Sequence, residues 1–282
     1  MQTAFVMVED EAIRIEIPDA ESEVMPGVRW GRVEATATPA QWYYLVQARK
    51  QLKSPICNRI GETLLEELGA CLLGGHGIPA YVGLASFKSL KAFGAFDGSV
   101  WSSEICEQWL REPLEIDGRK VNYRFARQKA IYLASAIKYL AENEVPCSSG
   151  RALRNNLINI KGVGYKTASW VARNWLDADD VAILDIHILR AGILANFFDS
   201  SQRVEKNYLE LEEQFVTFSE ALNVRASELD AEIWYQFSQL PGMVHRMFSK
   251  DEFMPGRTEK IKTSRPATQK RTTNPMQAAL FI

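Results

Sequence analysis

Lys166 and Asp185 are the residues of this chain whose types and spacing most directly offer chemistry. A lysine amine attacks an electrophilic carbon once it loses its proton, but a free lysine, with a pKa of about 10.4, keeps that proton at neutral pH. Desolvation in a cleft or a neighbouring cation lowers the pKa and frees the amine. A carboxylate nearby can stabilise developing positive charge and orient or deprotonate the amine. Ahead of Lys166 stands Lys161-Gly162-Val163-Gly164-Tyr165. Gly-x-Gly turns a chain sharply, because glycine permits positive φ, and it lets a ligand come close to the backbone. A helix beginning just after such a turn offers unpaired N–H groups and the positive end of its dipole to an anion such as a phosphate. The same two glycines also read as a plain helix end followed by a helix start.

The elements that must position this pair are legible nearby. A helix is predicted over Arg151 to Ile158, with Leu153, Leu157 and Ile158 on one side and Ser148 or Ser149 as N-cap. A second helix runs from about Tyr165 to Trp175. Asp185 precedes Ile186-His187-Ile188-Leu189, so it can cap a third helix as well as do chemistry. Between Ser148 and Leu176 lie Arg151, Arg154, Lys161, Lys166 and Arg173, with no acidic residue, in a chain of net charge −2. That stretch reads as a local basic patch facing a polyanion. His187, two residues into a helix with apolar neighbours, reads as a packing or hydrogen-bonding histidine rather than an acid or base. His245 has no partner that sequence identifies.

Gly162, Val163, Gly164, Lys166 and Asp185 resemble the signature of the helix-hairpin-helix DNA glycosylase superfamily. The wider wording from Gly164 to Leu189, together with Tyr123-Arg124-Phe125 and Lys129-Ala130-Ile131-Tyr132-Leu133, is most similar to archaeal-type 8-oxoguanine DNA glycosylase/AP lyases. The resemblance implies a DNA repair enzyme of base excision. Lys166 would attack the sugar C1′, expel an oxidised purine, and form a Schiff base that permits β-elimination, while Asp185 stabilises the sugar cation. It implies DNA contacts by Lys161, Gly162, Val163, Gly164 and Tyr165. It also implies a residue that fills the gap left by an extruded nucleotide, in the loop from Leu72 to Pro79. His76 falls nearest that position, where the superfamily usually carries Gln or Asn; the residue also reads as a surface histidine on a glycine-rich connector. Trp170 and Trp234 are the candidates for stacking on the base, and Trp170, one turn after Lys166, reads equally as core. Tyr235 and Phe237 are further candidates. No cofactor and no metal are implied. Cys57, Cys71, Cys106 and Cys147 form no metal-binding pair and read as reduced core residues, and no cysteine follows Cys147, which argues against the iron–sulfur branch. The expected partner is double-stranded DNA containing a damaged base, the expected state a monomer, and the expected location the cytoplasm, at the nucleoid. Two alternatives stand beside this reading: a glycosylase for a different lesion, and a non-catalytic DNA-binding protein that kept the hairpin.

The expected fold class is mainly all-α, with two helical subdomains around a DNA-binding cleft. Residues 1–41 form an extended N-terminal arm, acidic before Ala37 and alternating with period two over Ala12 to Ile17. Residues 42–250 form the helical domain, with further helices predicted over Glu62 to Leu73, Arg127 to Asn143, Tyr208 to Phe218 and Ala226 to Phe237. No strand–helix alternation appears, which disfavours a Rossmann-like sheet. The 282 residues, 46% of them hydrophobic, suffice for a sizeable core, and no apolar run long enough to span a membrane and no signal peptide are found. Residues 251–282 read as a disordered basic tail ending in Gln277-Ala278-Ala279-Leu280-Phe281-Ile282. Gln277, Leu280 and Phe281 resemble the short peptide by which bacterial repair proteins bind the sliding clamp; docking on the protein's own surface is the other reading.

Overall fold

The computed structural model describes residues 1–53, 59–75 and 77–239. The chain opens with two antiparallel hairpins. β1 (Gln2–Val8) pairs with β2 (Glu11–Ile17), and β3 (Glu23–Met25) with β4 (Val28–Arg29). The predicted alternation is visible in β2, where Ile15 and Ile17 turn inward beside Val6 of β1. Helices follow: α1 (Pro39–Gln51), α2 (Leu64–Leu73), α3 (Ala80–Ala92) and α4 (Ser103–Arg111). A third hairpin, β5 (Leu114–Ile116) with β6 (Arg119–Val121), interrupts them. It was not expected from the helical pattern. Its signal was Asp117-Gly118, whose φ values of +51° and +72° suit a tight two-residue turn. Then come α5 (Ala126–Glu142), α6 (Gly150–Leu157), α7 (Tyr165–Leu176), α8 (Ile186–Leu194), α9 (Val204–Ala221) and α10 (Ala226–Gln239).

The helix starts follow from side-chain chemistry. Thr38 accepts from Gln41 N ahead of Pro39, Thr63 from Glu66 N, and Ser149 from Ala152 N. Each satisfies one of the N–H groups that a helix start leaves without an internal partner. Asp177, at φ +52°, closes α7 in the left-handed region.

Three apolar clusters form the core. The first gathers the arm, α1 and α8 to α10 around Trp42, Phe215 and Phe218. The second holds α6 and α7 against α2 through Leu153, Leu157, Trp170 and Val171. The third joins α2 to α5 through Leu73, Phe87, Leu90 and Leu133. The arm is thus part of the first core, with Ile17 fully buried. The segment between α7 and α8 crosses the seam between the first two clusters. Val181 and Ile183 enter the second, while Ala182 and Leu184 enter the first. Asp185 follows directly.

Candidate active site and nucleic-acid interface

α7 brings Lys166 out in its first turn, and Asp185 is the N-cap of α8. The Lys166 Nζ lies 3.3 Å from Asp185 Oδ2. The other carboxylate oxygen, Oδ1, accepts from His187 N at 2.7 Å and Ile188 N at 3.2 Å. One oxygen therefore fixes the helix start and leaves its neighbour for the amine. The Lys166 side chain is 41% exposed and that of Asp185 13%, so the amine reaches solvent while the carboxylate is sheltered.

The hairpin stands beside this pair. Val163 is buried, and its N–H donates to Ile160 O at 3.0 Å, anchoring the turn on the second core. Gly162 has φ +89°, and an added Cβ would stand 2.1 Å from the Tyr132 ring. Gly164 differs: its φ is −95°, and an added Cβ would meet nothing within 4 Å. Gly162 is thus required by the fold, whereas Gly164 leaves open space on the outside of the turn. Gly164 is also the N-cap of α7, with no side chain capping the helix and no acidic residue in its first turn. Such a terminus suits an anion. Lys161 is exposed next to it.

The basic patch expected over Ser148 to Leu176 is in part internal and largely paired with carboxylates. Arg154 is 4% exposed and pairs with Glu212 at 2.9 Å, and Arg173 is 1% exposed and pairs with Asp230. Arg151 reaches Glu213 at 2.6 Å and the Asp180 carbonyl at 2.9 Å. The sequence offered no acidic residue locally, but α9 and α10 supply the partners from afar. Lys161 and Lys166 remain for a ligand.

Two aromatic expectations also change. Tyr165 turns inward and stacks on Tyr208, ring centroids 5.5 Å apart, so its side chain faces the core. Trp170 is 2% exposed within the second core, packed rather than presented. Trp234 is half-buried, edge-on to His187 at 6.4 Å. His187 is itself half-buried, and its Nδ1 has no hydrogen-bond partner among the described residues. Burial lowers the pKa of His187, opposed by Asp185 and assisted by Arg190 and Lys166, which favours the neutral ring. Tyr235 is half-buried under the Arg49 guanidinium, and Phe237 is core. Cys71 and Cys106 are buried as expected, but Cys147 is exposed. His76, His245, Cys57 and the tail with Gln277, Leu280 and Phe281 lie outside the described residues.

The flanks of the loop after α2 are held by the second resemblance segment. Tyr123 donates its hydroxyl to Leu73 O at 2.7 Å, and Lys129 Nζ donates to Leu72 O at 2.5 Å and Gly74 O at 3.2 Å. These bonds satisfy carbonyls at the end of α2 that lack helical partners. Burial lowers the pKa of Lys129. Beside them a hollow of about 500 Å³ is lined by Arg111, Arg124, Arg127 and Gln128 among others. Gln128 donates to Tyr132, the residue under Gly162, so this basic surface adjoins the hairpin.

Sequence reading missed the acceptors around the segment before Asp185. Glu212 Oε1 accepts from Ala182 N at 3.2 Å and from Ser169 Oγ at 2.7 Å. Asp230 Oδ2 accepts from Ile183 N at 3.3 Å, while its Oδ1 takes Arg173. The Tyr208 hydroxyl donates to Ala182 O at 2.8 Å and accepts from Leu184 N at 3.3 Å. Burial raises the pKa of Glu212, against Ser169 and Arg154, and pushes that of Asp230 up to about 6, against Arg173. The available signal was a carboxylate inside each apolar stripe: Glu212 between Tyr208, Leu211 and Phe215, and Asp230 between Ala226, Leu229 and Ile233.

A family profile described as 8-oxoguanine DNA glycosylase matches residues 56–224, a span that contains the hairpin, Lys166 and Asp185. The chain belongs to this family. It is 38% identical over 199 residues to the 8-oxoguanine DNA glycosylase/AP lyase of Methanocaldococcus jannaschii, covering 68% of this chain and 88% of the relative. It is 32% identical over 185 residues to that of Korarchaeum cryptofilum, covering 63% and 81%. The crystal structure of the Methanocaldococcus jannaschii enzyme in complex with a 15mer DNA containing 8-oxoguanine superposes with a TM-score of 0.53 at 27% identity, over 71% of this chain and 98% of that one. The first 55 residues, including the arm, precede the family match. Among the described residues no helix is long and apolar enough to cross a membrane.

Proposed function

We propose that this family member is a bifunctional DNA glycosylase/AP lyase that removes 8-oxoguanine from double-stranded DNA, with Lys166 as nucleophile and Asp185 as its electrostatic partner. The observation that carries this reading is the 3.3 Å approach of Lys166 Nζ to Asp185 Oδ2 beside an uncapped helix start. The deprotonated amine attacks C1′ of the sugar. The glycosidic bond breaks, and its electron pair leaves with the base, which takes up a proton. The resulting N,O-acetal opens by breaking the C1′–O4′ bond, O4′ taking up a proton, to give a Schiff base, and loss of a C2′ proton then breaks the C3′–O bond and nicks the strand. The Asp185 carboxylate stabilises the positive charge that grows on the sugar as the base departs.

C1′ is inaccessible inside the stack, so the lesion must be extruded. Trp234, beside His187, is the base-stacking candidate that remains once Trp170 is packed in the core. Lys161, the backbone from Gly162 to Gly164 and the start of α7 hold the phosphates, with Arg124 and Arg127 extending the surface; His76 fills the vacated stack. Both members of the pair come from one chain, so a monomer suffices. The tail adds a tether to the sliding clamp through Gln277, Leu280 and Phe281, a reading supported by the sequence pattern alone. The test of the central claim is borohydride trapping on a duplex with a single 8-oxoguanine. A covalent adduct that disappears in Lys166→Gln supports it; absence of any adduct with wild-type protein indicates a binding module instead.

A further inference from the structure

We propose that Glu212 and Asp230 are positioning residues for catalysis, two buried carboxylates that hold the segment leading into Asp185 against the helix that carries Lys166. This rests on the Lys166–Asp185 reading above. α7 presents Lys166, Ser169 and Arg173 at i, i+3 and i+7, hence on one face. Each meets the segment that ends in Asp185. Lys166 touches Asp185 directly, Ser169 reaches Ala182 through Glu212, and Arg173 reaches Ile183 through Asp230.

The segment needs such a clamp. Residues 181–184 carry no regular secondary structure, and the N–H groups of Ala182, Ile183 and Leu184 are all taken by side chains. Its four side chains are apolar and alternate between two cores. Apolar packing is non-directional, so it fixes depth better than register. Hydrogen bonds from fixed carboxylates specify register residue by residue. Glu212 and Asp230 are 2% and 1% exposed, and burying ion pairs is a poor route to stability compared with apolar packing. Their presence in a buried seam between the helix carrying Lys166 and Asp185 fits a geometric task. A misplacement of about 1 Å at a reacting group can cost about 100-fold in rate.

The test is a double-mutant cycle. Asp230→Asn and Glu212→Gln are made alone and combined with Asp185→Asn. Single-turnover excision from an 8-oxoguanine duplex and the Kd for that duplex are measured on full-length protein. The expected result is a rate loss of about 10- to 100-fold at unchanged Kd in the wild-type background, and less than about threefold once Asp185 is Asn. Unchanged rates, or equal losses in both backgrounds, overturn the proposal. An Asp185→Asn variant that excises at the wild-type rate overturns the catalytic pair itself and is recognised without the other variants. Ser169→Ala, which removes one hydrogen bond to Glu212 and leaves both ion pairs, covers the case in which the carboxylate variants fail to fold. It should slow excision several-fold with the same dependence on Asp185, and an unchanged rate there counts against the proposal.

Discussion

Gly162 sits directly on the ring of Tyr132: an added Cβ would lie 2.1–2.4 Å from three ring atoms, at a φ of +89°. Gly164, two residues on, has neither constraint. The two glycines of the hairpin therefore separate by experiment. Gly162→Val should destabilise the fold by about 2–4 kcal/mol, through overpacking and a left-handed backbone, and lower the melting temperature. Gly164→Val should melt close to wild type yet bind duplex DNA about tenfold more weakly, since its new side chain would project into the space proposed for a phosphate. A normally folded Gly164→Val with unchanged affinity would remove the hairpin from the interface.

Lys166→Gln keeps a polar side chain, one atom shorter, but removes the amine proposed as nucleophile. Base removal and borohydride trapping should fall on the order of a thousandfold or more. Affinity for lesion DNA should change little if, as proposed, the hairpin backbone and Lys161 carry most of the contact. Substantial cleavage by this variant would reassign the nucleophile.

The placement of Lys166, Asp185 and the hairpin could be read from the chain because its signals are local. A turn, a helix start and an N-cap depend on residues within a few positions of each other. The helices around them were legible from apolar periodicity, with ends displaced by a residue or two where caps such as Thr63 took over, and by three to four residues in α9. The basic patch misled because charge runs are local while ion pairing is not. Arg154 and Arg173 find Glu212 and Asp230 58 and 57 residues downstream. The role of segment 181–184 was hidden for the same reason. Its alternation between two cores and its side-chain acceptors exist only after α9 and α10 have packed.

Trp170 and Trp234 should respond oppositely to truncation. Trp170→Ala opens a cavity in the second core and should cost about 3–5 kcal/mol of stability. Trp234→Ala, at a half-buried position beside His187, should unfold the protein less and slow excision more, by about tenfold. Denaturant titration and single-turnover kinetics on the two variants decide. A Trp234→Ala enzyme with wild-type excision would exclude that ring from the base pocket.

Removing Gln277 to Ile282 should leave excision from short oligonucleotides within about twofold of wild type, because the tail is joined to the catalytic region by a polar, basic stretch. The same deletion should abolish binding to the sliding clamp of the source organism. Replacing Leu280 and Phe281 alone by Ala should reproduce most of that loss, since apolar anchors dominate such contacts. Calorimetry with the intact protein checks the claim, and absence of binding sinks it.

Asp230 ties stability and activity to pH in opposite directions. In the folded protein burial pushes its pKa up to about 6, from an ordinary value of 3.8, in spite of Arg173. Between those values the folded state holds a proton that the unfolded chain releases. The stabilisation from that proton is fully present below the unfolded value and is lost as pH rises through the folded one. The unfolding free energy of wild type minus that of Asp230→Asn should therefore fall by about 1–3 kcal/mol from about pH 4 to pH 7. Denaturant melts of both proteins across that range measure it. A flat difference would mean that Arg173 fully offsets the burial of the carboxylate. Protonation also dissolves the ion pair that links α7, through Asp230, to Ile183. Excision should accordingly weaken as pH drops below about 6 in wild type, while the same group stabilises the fold.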